Sequence, residues 1–182
     1  MADLPETGLR KLHRYITDHT EDGKAVISKR FPAELPLTTI PSKQVEFGLQ
    51  YSTTSFPAKL DGSDLDTYAQ HLKSGPGIAI SNGSVIRTVT MAPGHISPMH
   101  RTISLDYGIV IEGEVELVLD SGDTQLLGRG DSVIQRATNH AWRNPSKTEW
   151  ARMVFVLTGS EKPVVGGKVL EEDTNGAENG QD

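Results

Sequence analysis

Met91–Leu117 reads MAPGHISPMHRTISLDYGIVIEGEVEL, and this stretch carries most of the information about the fold. His100, Thr102 and Asp106 stand at even separations, framed by Gly94 and Gly113. Side chains alternate between the two faces of a strand, so one strand with a short irregularity can aim all three residues to the same side. Gly108 follows on that face, two residues after Asp106, and its missing side chain would leave room for a ligand. Val110 continues the face as an apolar wall, and Tyr107 alternates outward.

The surroundings read as β structure. Ile78–Ile80, an Asn82-Gly83 turn and Val85–Met91 form an expected hairpin. Runs at Tyr107–Ile111, Val115–Leu119, Gln125–Leu127, Ser132–Gln135, His140–Arg143 and Arg152–Leu157 follow, with Gly, Asp and Asn-Pro turns between them. Short strands at regular spacing define an all-β sandwich or barrel, and the pattern alone does not choose between the two. A second informative segment, Gly128–Asn144, reads GRGDSVIQRATNHAWRN. It places His140 after the Gly130-Asp131 turn, with Trp142 alternating onto the same face.

The two segments together resemble the paired motifs of the cupin family. The frame Gly94-x5-His100-x-Thr102-x3-Asp106-x6-Gly113 is similar to G-x5-H-x-H-x3-4-E-x6-G, with Thr102 at the second histidine and Asp106 at the glutamate. Gly130-Asp131, His140 and Asn144 match the turn and the H-x3-N of the second motif, while Gln135 and Ala137 stand at its proline and glycine. The MHRT, LDY and NHAWRN strings are most similar to a subgroup of small single-domain cupins, found in bacteria and beside polyketide synthases in fungi. The likeness covers roughly residues 13–160. It implies a single conserved-barrel, jelly-roll-like cupin, and an oxidoreductase as the described activity of many members. It also implies pairing of two copies through barrel strands and the N-terminal arm.

Two imidazoles and a carboxylate converging in a barrel suit a divalent metal such as Fe(II), Mn, Ni or Zn. His100, Asp106 and His140 are therefore the expected catalytic residues and metal ligands. Thr102, a poor ligand, would support them from the edge. Thr102, Gly108, Val110 and Trp142 are the expected pocket residues, lining a mostly apolar cavity with a few polar groups at one end. Without a metal, His100 and Asp106 would simply pair by hydrogen bond. His95 reads as a loop residue, and Arg101, Arg136 and Arg143 as solvated or paired cations.

Upstream, Leu9, Leu12, His13 and Ile16 fall at helical spacing and predict a helix over residues 6–20. Three prolines between residues 31 and 44 predict an irregular arm, and residues 64–73 a short helix. The expected organisation is a helical and irregular extension over residues 1–44, a barrel over 45–160 and an acidic, unstructured tail over 161–182. The chain of 182 residues has a formal net charge of −6, and the last twelve residues hold five acids and no base. The remainder is close to neutral and gives no footprint for nucleic acid. There is no cysteine, no run approaching about 18 apolar residues, and no apolar core in the opening MADLPETGLRKLHR. A cytoplasmic protein is the expectation.

These features point to a metal-dependent enzyme that tailors a small apolar or aromatic molecule, such as a polyketide, by oxidoreductase chemistry. A non-redox lyase, dehydratase or isomerase in the same pocket is the first alternative. A non-catalytic binding cupin is the second.

Overall fold

A computed structural model describes residues 6–174. In chain order the strands are β1 (Thr17–His19), β2 (Ala25–Ile27), β3 (Thr38–Thr39), β4 (Val45–Thr53), β5 (Ser84–Met91), β6 (Ser104–Glu112) and β7 (Val115–Leu119). They continue as β8 (Thr124–Leu127), β9 (Ser132–Arg136), β10 (His140–Arg143), β11 (Ala151–Gly159), β12 (Val164–Val165) and β13 (Lys168–Val169). Helix α1 spans Ser63–Ser74 between β4 and β5. A six-stranded sheet of order β3-β4-β5-β11-β6-β9 faces a three-stranded sheet of order β10-β7-β8, and every pairing is antiparallel. The core lies between them. Val85, Val110, Val115 and Met153 are fully buried there, as a period-2 alternation of apolar residues requires when one face of each sheet is covered.

The alternation along β4 switches phase. The register shifts between Leu49 and Tyr51, so Leu49 stands opposite Arg87 but Tyr51 stands opposite Ile86. Such a bulge turns the later half of a strand to the other face. Tyr51 thereby meets α1, where it packs on Tyr68 and donates a hydrogen bond to Asp64. The helix starts without a side-chain cap, but Asp64 and Asp66 in its first turn complement its dipole. It ends at Gly75, whose N–H donates to the His71 carbonyl at a positive φ of 72°.

Two expected elements do not form. The first is the helix over residues 6–20, because that segment is extended. The Arg14 N–H donates to Ala33, Leu12 accepts from Leu35, and β1 pairs with β2. Leu12 and Ile16 are four apart, a spacing that suits a helix and a strand equally. The residue that decides is Arg14. It is buried midway between them, with its guanidinium over the rings of Phe31 and Tyr68 and its Nε bonded to the Tyr68 hydroxyl. The second is the hairpin strand at Ile78–Ile80. The carbonyls of Gly77 and Ile78 are taken by the Arg87 side chain rather than by a neighbouring strand.

The arm lies on the outer face of the six-stranded sheet. A side chain at Gly48 would meet Leu35 and Leu37 of the arm at 2.8 Å, so the glycine permits this close approach. After β11, the expected tail region holds the β12–β13 hairpin. Asp173 then exchanges two backbone hydrogen bonds with Arg101. Residues 175–182 of that tail lie outside the described residues.

Candidate active site

The loop from His95 to His100 runs along β10 almost as an added strand. Asn144 N–H donates to His95, Ser97 and Trp142 are joined by two bonds, and His100 and His140 exchange backbone N–H···O bonds of 2.8 and 2.9 Å. This local pairing places the two imidazoles side by side, with ring centroids 4.3 Å apart. Trp142 meets His140 edge-on at 5.3 Å, and Phe155 follows at 5.4 Å. The file of rings forms one wall of a cavity of about 270 Å3 inside the barrel. His100, Thr102, Asp106, His140 and Trp142 all line it, and much of the rest is apolar, including Phe47, Val89 and Leu157.

Burial sets the charges. His140 is 3% exposed, and its pKa falls to about 4 because of burial and the neighbouring His100; the Thr138 carbonyl opposes the shift. Its Nδ1 lies 3.0 Å from the Thr138 carbonyl and 2.8 Å from Gln135 Nε2, which fixes the ring. His100 is also pushed below its ordinary value by burial. Its Nδ1 lies 2.9 Å from the Pro98 carbonyl. A carbonyl can only accept, so Nδ1 carries the proton and Nε2 keeps its lone pair. Both imidazoles are uncharged at neutral pH. Asp106 moves the other way: burial raises its pKa to about 6, against the pull of Ser104 and of the Arg87 guanidinium. Its Oδ1 is buried without a hydrogen-bond partner.

Gly108 and Val110 are not on the cavity wall, which corrects their expected role. Both face inward, but in register with β11 rather than with open space. Gly108 stands opposite Phe155 and Val110 opposite Met153. A Cβ at Gly108 would lie 2.9 Å from Phe155 Cε1 and 3.3 Å from Met153 Cε, so the ring already occupies that place. Gly108→Leu is therefore an overpacking change, expected to cost about 1–3 kcal/mol. Thermal unfolding should show it, at roughly 2–4 °C per kcal/mol. An unaltered melting temperature together with blocked ligand binding would restore the open-pocket reading.

The expected metal triad does not assemble. Among the described residues no three of His, Cys, Asp or Glu come together closely enough to hold a metal ion. His100 and His140 are neighbours, but the carboxylate is not brought to them. Asp106 sits on β6 opposite Gln135 of β9, and an aspartate reaches one methylene less than a glutamate at the same place. Three residues missing from the expected set also contribute. His95 and Arg87 line the cavity, and Gln135 supports His140. Arg87 was visible as the one charged residue in the inward series Val85, Arg87, Val89, Met91.

Comparison with known proteins identifies the class. Residues 87–157 match the family model of the cupin domain. The chain is 47% identical over 163 residues to phomopsin biosynthesis cluster protein C' of Diaporthe leptostromiformis, covering 89% of this chain and 86% of that one. It is 42% identical to oryzines biosynthesis cluster protein J of Aspergillus oryzae (94% and 96% covered). Its identity to the cupin-domain-containing oxidoreductase virC of Hypocrea virens is 41% (91% and 84% covered). The chain belongs to the cupin family. Among the described residues, no helix is long and apolar enough to cross a membrane.

Proposed function

We propose that the protein is a tailoring enzyme of a biosynthetic pathway, an oxidoreductase acting on a small, largely apolar molecule of polyketide or aromatic character. The observation that carries this reading is the apolar barrel cavity with Asp106, His100 and His140 on its wall. The oxidoreductase assignment draws on the names of relatives such as virC. In this reading the ionised Asp106 takes a proton from the substrate. A carboxylate with a pKa of about 6 is a far better base than one at 3.8, and remains ionised at neutral pH. The His100 Nε2, which keeps its lone pair, accepts a hydrogen bond from a substrate hydroxyl and so orients the substrate. The walls of Trp142, Phe155 and Leu157 keep water away. Dioxygen, as the co-reactant, would then accept two electrons from the resulting anion and two protons, one of them from Asp106, and leave as hydrogen peroxide while the substrate gains a double bond.

A second reading is favoured by the same pair of groups. Proton removal by Asp106 followed by return of the proton elsewhere is an isomerase, dehydratase or lyase cycle and needs no oxidant. Incubation of the purified protein with the intermediate that accumulates when its gene is deleted separates the two. Consumption of the intermediate in air with uptake of oxygen, and none under nitrogen, is the expected result. Equal turnover under nitrogen would transfer the assignment to the non-redox cycle. No consumption in either atmosphere would remove the enzyme reading.

A further inference from the structure

We propose that Arg87 makes the barrel cavity selective for a substrate bearing a carboxylate, which the guanidinium holds at the end of the apolar chamber. This rests on the reading of the cavity as the substrate site and adds the chemical class of what enters it. Arg87 projects inward from β5 and, among the described residues, is the only lysine or arginine lining the cavity. Burying a guanidinium is costly unless it is paired. Here the pairing is incomplete. Both tethers, to the Gly77 and Ile78 carbonyls, come from the single nitrogen Nη2, and the buried Nε has no partner. Asp106 is near enough for its charge to act on Arg87, but the two form no ion pair. The three imidazoles that share the cavity, His95, His100 and His140, all have pKa values lowered by burial and add no positive charge.

A purely structural arginine, tying down the Gly77–Ile78 turn, would need only the Nη2 bonds. The unpartnered Nε matches what a carboxylate accepts from a guanidinium, and between apolar walls such a charge-assisted bond is strong. The ring-lined remainder of the chamber suits an aromatic or polyketide body.

Calorimetry with 2-naphthoate and its neutral counterpart 2-naphthamide tests the proposal. The parent should bind the carboxylate on the order of tenfold more tightly, as one hydrogen bond to a charged group implies. Arg87→Met should abolish the preference while leaving the amide's affinity in place. Asp106→Asn should tighten naphthoate alone, because it removes the one carboxylate that lines the cavity beside Arg87. Asp106 does not line the neighbouring cleft at the end of α1, which Arg87 also borders, so this variant identifies the side on which the ligand sits. Equal affinities in the parent, a preference that survives Arg87→Met, or an Asp106→Asn variant without effect would each overturn the proposal. If Arg87→Met does not fold, the parent and Asp106→Asn still decide. Failure of both probes to bind the parent would overturn the substrate-site reading as well.

Discussion

Asn144→Ala is expected to destabilise the fold by about 3 kcal/mol. Asn144 is fully buried, and its Nδ2 lies 2.9–3.1 Å from the carbonyls of Met91, Ala92 and Glu149. Its Oδ1 accepts from the Ser146 N–H at 3.0 Å. Truncation leaves several buried backbone groups unpaired at about 1–3 kcal/mol each, with partial relief from relaxation. For a chain of this size that corresponds to a melting temperature lower by about 6–12 °C. The same side chain ties the end of β5 to the turn before β11, and its backbone N–H holds His95. Loosening should therefore reach the cavity rim, so hydrogen exchange at residues 92–100 should rise along with the fall in stability. A melting temperature within 2 °C of the parent (about 1 kcal/mol or less) would mean that water replaces the amide at little cost.

The parts of the site that were legible share one property: they depend on contacts between neighbours along the strand. His100, Thr102, His140 and Trp142 line the cavity because alternation puts them there, and the Gly130-Asp131 turn delivers His140. The parts that were not legible depend on what a different strand contributes. Gly108 and Val110 face inward as alternation demands. Whether that space is open was decided by Phe155 and Met153 of β11, more than forty residues away. Ile78–Ile80 has the composition of a strand, but the carbonyls of Gly77 and Ile78 at its start are taken by a side chain from β5. Leu12 and Ile16 satisfy two periodicities at once, and only the cation–π seat of Arg14 settles which applies. Asp106, singled out by the motif frame, lines the cavity. The frame could not say whether the carboxylate reaches the imidazoles, which is a matter of ångströms rather than of spacing in the chain.

That reach is why Asp106→Asn is the most revealing substitution for activity. Asparagine keeps the volume and cannot take a proton, so a general base at this position predicts a fall in kcat of about 10²–10⁴-fold. The parent's rate should rise with pH through about 6 as Asp106 ionises, and the variant should lose that limb. The same group leaves a mark on stability that needs no substrate. The folded-state pKa of about 6 lies above the ordinary value of 3.8, so this contribution is complete below pH 4 and is lost as the pH rises through 6. By pH 8 the loss is about 3 kcal/mol. His140 behaves in the opposite sense. Its folded value of about 4 lies below 6.5, so its contribution is complete above pH 6.5 and is lost as the pH falls through 4. Between pH 4 and 6 the two slopes nearly cancel, and for these groups the parent's stability should be almost flat. Asp106→Asn removes one of them. The variant should be more stable than the parent at pH 8, and its stability should climb by more than 1 kcal/mol for each pH unit between 4 and 6. Denaturant melts of both proteins across that range measure the difference. A parent whose stability climbs as steeply as the variant's over that range would mean that Asp106 is not desolvated as the cavity implies, and the base assignment would fall with it.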